Sequence, residues 1–289
     1  MKLCLGTAQF GLDYGINNTR GKIPQKEVLE ILNFAHESGI NTLDTASAYG
    51  NSESALGDAI TQSGKKFQII TKYPANTEVR PFQWINTSFE LLKTERVHGC
   101  LFHNYSIFKQ HPDYIEDFVK IKDTNKTEKI GFSLYYPSEA EYILENNIPC
   151  DIVQVPYNIF DQRFEYIFRD LKSKGIEIYV RSIFLQGLFF IDPEHLDPYF
   201  ISIKNNLQEL RSFAKHKSVD ISVLSLKFAN MNTYIDKIVI GVDSLDNLKN
   251  NINNYILTSS IKIDLRWFRS LAVVDERLIL PINWKVKTS

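Results

Sequence analysis

Cysteine is scarce and scattered in this chain. Cys4, Cys100 and Cys150 lie far apart, and no C-x-x-C pair occurs. Nor is there an H-E-x-x-H or comparable ligand spacing, so no metal site is expected. Unclustered thiols, two of them inside apolar runs, fit buried free cysteines in a reducing compartment and argue against a disulfide framework. An excess of one charge is also lacking. The 33 basic residues face 34 acidic ones, a net charge of −1, which removes the electrostatic footprint of a nucleic-acid or membrane-surface binder. Apolar runs of membrane-spanning length are absent, and the opening MKLCLGTAQFG has no signal-peptide core, so a cytoplasmic protein is expected. Pro/Gly/Ser-rich linkers and low-complexity segments are missing too, and the chain reads as one domain. Its 44% hydrophobic content over 289 residues can fill a large core.

What is present is alternation. Short apolar runs take turns with longer amphipathic ones. Strands are expected at 2–8 (KLCLGTA), 40–44 (INTLD), 68–72 (QIITK), 99–103 (GCLFH), 129–133 (KIGFS), 151–156 (DIVQVP), 176–182 (IEIYVRS) and 237–241 (KIVIG). Helices are expected from Pro24 to Gly39 and from Asn51, a candidate N-cap, to about Gly64. Others fall near 82–93, 111–123, 137–147 and 162–174, with two within 201–230 parted near Lys217–Asp220, and one from Asp243 to about Leu257. IKIDLRWFRSL adds a further helix, and a tail, LPINWKVKTS, follows. Eight strands in strict alternation with helices close a (β/α)8 barrel, and near-continuous apolar strands fit burial on both faces. An open doubly wound sheet would carry G-x-G-x-x-G after its first strand, and GTAQFG lacks that spacing. The expected fold class is α/β: a single-domain (β/α)8 TIM barrel over 1–289, with a C-terminal helix and tail from about 260.

Functional groups in such barrels sit at the C-terminal ends of the strands. Asp44 ends the second expected strand, Lys72 the third and His103 the fourth, while Tyr49 lies in the loop after Asp44. Taken singly, Asp44 reads as a helix cap, Lys72 as a solvated strand end, Tyr49 as a half-buried aromatic and His103 as a structural imidazole. Together they place a carboxylate, a phenol, an amine and an imidazole at one mouth. That set suits proton delivery to a carbonyl oxygen: a Lys beside a phenol lowers its pKa, and an Asp orients the Lys.

LDTASAYGNSE, ITKYP and LFHN resemble the active-site signatures of the aldo-keto reductase superfamily. LGTAQFG and IVIGVDSLDNLKNNI match it too, so the likeness covers nearly the whole chain. The resemblance implies an NAD(P)H-dependent oxidoreductase that reduces an aldehyde or ketone, with NADPH or NADH as cofactor and a small-molecule carbonyl compound as its partner. It implies Tyr49 as proton donor, Lys72 as the cation that lowers its pKa, Asp44 as partner of Lys72, and His103 as the group that orients the carbonyl or supports proton transfer. It puts Gly6, Thr7 and Asp44 along the cofactor and Ser133 and Gln154 on the nicotinamide carboxamide. Ser182 and Gln186 fall in the loop that touches the pyrophosphate, and Gly241, Asp243, Asn247 and Asn251 around the adenosine ribose.

Two departures stand out. Leu134 follows Ser133 where relatives commonly have Asn, and Arg181 stands where an aromatic residue usually stacks on the nicotinamide. A guanidinium can stack, repel the oxidised ring, reach an anionic substrate group, or pair with a barrel carboxylate. Asp243 suits a free 2′-hydroxyl better than a phosphate. Its other reading is a helix cap, with Ser244 or a nearby Lys meeting the phosphate.

The superfamily also contains nucleotide-sensing and regulatory members, which makes a redox-sensing protein the rival reading. Schiff-base chemistry on Lys72 ranks last, because it leaves Tyr49 unexplained. The substrate loops near 12–24, 104–112 and 183–199 and the C-terminal tail show no specificity pattern. Tyr14, Tyr105, Phe184, Trp267 and Trp284 offer aromatic surface for a sugar or aryl ring, or else pack in the core. Oligomeric state is not legible.

Overall fold

The computed structural model describes residues 1–75 and 77–284. Eight strands, β1 (Leu3–Gly6), β2 (Thr42–Asp44), β3 (Gln68–Tyr73), β4 (Val97–Phe102), β5 (Thr127–Ser133), β6 (Ile152–Pro156), β7 (Glu177–Arg181) and β8 (Lys237–Gly241), form a closed barrel in sequence order. Every neighbouring pair is parallel, and β8 returns to β1 with Gly6 opposite Gly241. The single-domain (β/α)8 expectation holds. Ile70, Leu101, Ile152 and Tyr179 fill the inside of the barrel, while a much larger apolar layer lies between strands and helices. Strands buried on both faces are why their sequences do not alternate.

The helices follow their sequence signals. In Gln25–Glu37, the buried Val28, Ile31, Leu32 and Ala35 recur at helical spacing, and Pro24 stands at the N-cap, its carbonyl accepting from Glu27 and Val28 N–H. Fully burying one such Val, Leu or Ile stabilises by about 1.5–3 kcal/mol. Helix Ser52–Ser63 ends at Gly64, left-handed with φ 65°. Asn51 occupies its N-cap position, but Asn51 Oδ1 accepts from Lys22 Nζ at 3.2 Å instead of capping. The expected break within 201–230 separates Lys204–Lys217 from Ile221–Met231, where Asp220 caps the Ser222 N–H at 2.7 Å.

Several boundaries differ from expectation. β1 stops at Gly6, and Ala8–Gly11 turns helical once the Thr7 N–H has donated to Asp44 O. Residues 105–110, expected as loop, form a helix opened by Asn104, whose Oδ1 accepts from Ser106 N at 2.9 Å. The C-terminal segment contributes Leu265–Ser270 and Glu276–Ile279, and Trp284 packs against Phe200 and donates to Leu278 O. The tail beyond 284 lies outside the described residues. Among the described residues, no helix is long and apolar enough to cross a membrane. The three cysteines are free, and burial pushes each thiol's pKa up.

Candidate active site

Three strand ends deliver the expected groups to one place. Lys72 is fully buried near the end of β3, and its Nζ donates to Asp44 Oδ2 at 2.8 Å and to Thr45 O at 2.9 Å. The second oxygen of Asp44 accepts from Gln154 Nε2 at 2.7 Å. Both carboxylate oxygens are thus engaged, as a buried ion pair requires if its desolvation is to be offset. Lys72 Nζ lies 5.1 Å from the centroid of the Tyr49 ring. The His103 ring meets Tyr49 edge-on, with centroids 5.5 Å apart.

The loop that presents Tyr49 is clamped from beneath. Ser52 Oγ lies 2.9 Å from Thr7 Oγ1 and 3.1 Å from Thr45 Oγ1, and it donates to Thr7 O. The buried Glu53 accepts from Thr71 and Ser47, and Trp84 Nε1 donates to Ser47 Oγ. Gly11 passes so close that an added Cβ would sit 1.8 Å from Tyr49 O, and Gly50, at φ 55°, packs on Gly11 in turn. Thr7, expected along the cofactor, has its hydroxyl committed to this wall.

Electrostatics set the protonation states. Burial pushes the Tyr49 phenol well above its ordinary range, Asp44 adds to this, and Arg181 opposes it. Arg181 is thus a cation that opposes the rise, while Lys72, 5.1 Å from the ring centroid, is ion-paired with Asp44. His103 is lowered to about 3 by burial, then by Lys72 and Arg181, so its imidazole is neutral near pH 7. Tyr14 is raised to about 12, chiefly by burial.

A cavity of about 510 Å³ runs from Ser133, Gln154 and Arg181 to Gly241, Asp243 and Asn247. A second recess lined by Ser47, Pro74 and Asn104 shares His103 and Tyr135 with it. Two buried acceptors of residues in the first cavity's wall, Gln9 Oε1 and Gln186 Oε1, have no partner among the described residues. The Gln9 amide lies against Gly241, where a Cβ would come within 3.0 Å of it. Ser182 (φ 61°) and Gln186 (φ 52°) turn the chain sharply after β7, and Gln186 Nε2 donates to Tyr14 Oη at 2.8 Å across the cavity.

Arg181 stacks over Tyr135, with its guanidinium carbon 4.3 Å from the ring centroid. It donates to Leu134 O at 3.1 Å and to Ser182 Oγ at 3.3 Å. Asp243 is not the cap of helix Leu245–Leu257. Ser244 is: its Oγ accepts from Asn247 N and donates to Asp243 Oδ1. Asn251 stands behind the cavity wall, donating to Asn247 Oδ1. Of the five aromatics, Tyr14 and Phe184 line the cavity, whereas Tyr105, Trp267 and Trp284 pack on Phe108, Phe213 and Phe200.

Gln9, Arg20, Glu53 and Tyr135 were missed in the sequence. Arg20 pairs with Glu27 and donates to Asp243 O, while Glu27 accepts from Leu245 N, which ties the segment after β1 to the end of β8. Only Tyr135 carried a signal, its place two residues past Ser133 at a strand end.

The family model described as "Aldo/keto reductase family" matches residues 2–262. The uncharacterized oxidoreductase YqkF of Bacillus subtilis (strain 168) is 25% identical over 275 residues, covering 86% of this chain and 89% of that protein. The L-galactose dehydrogenase of Arabidopsis thaliana is 24% identical over 264 residues, covering 84% and 82%. Among solved structures, the holo form of aldo-keto reductase AKR11C1 from Bacillus halodurans superposes with a TM-score of 0.74 at 18% identity, covering 98% of this chain and 95% of that one; the barrel is shared.

Proposed function

The chain belongs to the aldo/keto reductase family, and on that premise we propose that it reduces an aldehyde or ketone to an alcohol with NADPH or NADH, Tyr49 giving the proton. The cavity's chemistry fits a nicotinamide dinucleotide. Gln9 and Gln186 line this cavity with amide oxygens that have no partner among the described residues, and a rotation of either amide would offer an acceptor to a ribose hydroxyl or a carboxamide N–H. Ser133 and Gln154, paired across β5 and β6, would hold the carboxamide, and Asn247 and Asp243 the adenosine ribose. The bound cofactor supplies a hydride to the carbonyl carbon.

The chain's own residues handle the matching proton. A phenol with a raised pKa is fully protonated at neutral pH, so Tyr49 stands loaded as a donor. Neutral His103 retains one ring N–H that can hold the carbonyl oxygen. Proton transfer from Tyr49 to that oxygen leaves a phenolate, which the positive fields of Lys72 and Arg181 stabilise before solvent reprotonates it. The substrate would thus gain one hydride and one proton, a two-electron reduction balanced by oxidation of the nicotinamide.

The observation that carries this reading is the buried Gln154–Asp44–Lys72 chain, which ends beneath the Tyr49 ring. The test is steady oxidation of NADPH or NADH with a panel of aldehydes and ketones, matched to alcohol formed. A folded protein that binds the nucleotide and turns over none of them belongs to the nucleotide-sensing class instead.

A further inference from the structure

We propose that Arg181 is the substrate's anion-recognition residue, so that the carbonyl compound reduced here carries a carboxylate. This rests on the reductase reading above. The argument starts from charge. Arg181 is half-buried at the end of β7, and among the described residues no carboxylate lies within salt-bridge distance of it; its hydrogen bonds go to a backbone carbonyl and a hydroxyl. Its neighbour Arg163 shows what a neutralised arginine looks like in this fold, bound to both Asp161 and Glu276.

The carboxylates whose fields reach Arg181 are committed elsewhere. Asp161 pairs with Arg163, and Glu139 accepts from the backbone N–H groups of Tyr135 and Tyr136; the Asp44 carboxylate at the same mouth is taken up by Lys72 and Gln154. Asp13 and Asp243 line the β1 and β8 side of the cavity, where Arg20 is also anchored. Near Tyr49 the positive charge of Arg181 is therefore left over, because Lys72 is neutralised by Asp44 and His103 is uncharged.

Geometry directs that charge at the reacting centre. Arg181, Tyr49, His103 and Tyr14 line one cavity. The Tyr135 ring backs the guanidinium and separates it from the second recess, which reaches His103 from the other side. A planar, backed guanidinium with N–H groups to spare presents the fork that grips a carboxylate through two bonds. A carbonyl at Tyr49 and His103 would put a carboxylate of the same molecule within the same chamber.

Two measurements test this on the full-length protein and its Arg181→Met and Arg181→Lys variants. The first is the ratio of kcat/KM for 4-carboxybenzaldehyde over 4-methylbenzaldehyde, a pair alike in shape. The second, independent of turnover, is calorimetric binding of benzoate against benzamide to protein saturated with NADPH, whose own Kd is measured for each variant. Wild type should favour the carboxylate in both by about 10- to 100-fold, the range of a hydrogen bond to a charged group. Arg181→Met should abolish the preference, and Arg181→Lys should keep only part of it. No preference in wild type, or a preference that survives in Arg181→Met, overturns the proposal. So does a rise in the NADPH Kd as the sole change, which assigns Arg181 to the cofactor. Selective benzoate binding without turnover of either aldehyde upholds the anion site and sinks the reductase reading.

Discussion

Lys72 Nζ lies 2.8 Å from Asp44 Oδ2 in a place where neither side chain meets solvent, their exposures being 0% and 4%. Such a pair is weak evidence of stability by itself, because desolvating both charges offsets most of their attraction. Breaking it is another matter, since the survivor is left charged and buried.

Lys72→Met should therefore destabilise the protein by about 3–5 kcal/mol and abolish turnover. Asp44→Leu combined with Lys72→Met should recover most of the stability and none of the activity. Urea denaturation alongside the rate assay checks both. A Lys72→Met protein as stable as wild type would mean that the pair is not a buried, mutually dependent one.

His103 supplies a pH signature. Its pKa falls from 6.5 in the unfolded chain to about 3 in the folded one. Between those values the unfolded state binds more protons, so stability rises with pH. The contribution is fully present above about 6.5 and is lost as pH falls toward about 3. The difference between wild type and His103→Gln, from denaturant midpoints at several pH values, isolates this group from the carboxylates that titrate nearby. It should slope upward from pH about 4 to 6.5; a flat difference contradicts the assignment.

Much of this was legible in the sequence because strand ends are local features. INTLD, QIITK and GCLFH each announce a strand and the polar residue that leaves it, and a closed eight-stranded barrel then brings Asp44, Lys72 and His103 together. What remained hidden depends on partners distant in the chain. Nothing near Gln154 says that its amide meets Asp44, 110 positions away. Nothing near Arg20 says that it reaches Asp243 O. The part of Arg181 was hidden for the same reason: it opposes the rise in the Tyr49 pKa from β7, far along the chain from Asp44, Tyr49 and Lys72.

On the proposed function, cofactor choice turns on the end of β8. Asp243 lines the cavity with its carboxylate held by Ser244, while Arg20 is bound to Glu27. A carboxylate beside the adenosine 2′ position favours a hydroxyl and repels a phosphate; at about 4 Å that repulsion reaches a few kcal/mol before salt screens it. Wild type should bind NADH at least as tightly as NADPH, and Asp243→Ser should shift the ratio of Kd values toward NADPH by about tenfold or more. Fluorescence titration of both reduced cofactors measures it. A strong NADPH preference that Asp243→Ser leaves intact contradicts the placement.

The most direct test of the whole account is single-turnover hydride transfer in Tyr49→Phe, with the protein saturated by reduced cofactor and a carbonyl substrate. The substitution keeps the ring against His103 and removes only the hydroxyl. If Tyr49 delivers the proton, the rate falls by roughly 10²-fold or more, the scale of general acid catalysis, while the cofactor Kd stays nearly unchanged. A folded Tyr49→Phe protein that transfers hydride at close to the wild-type rate contradicts the mechanism.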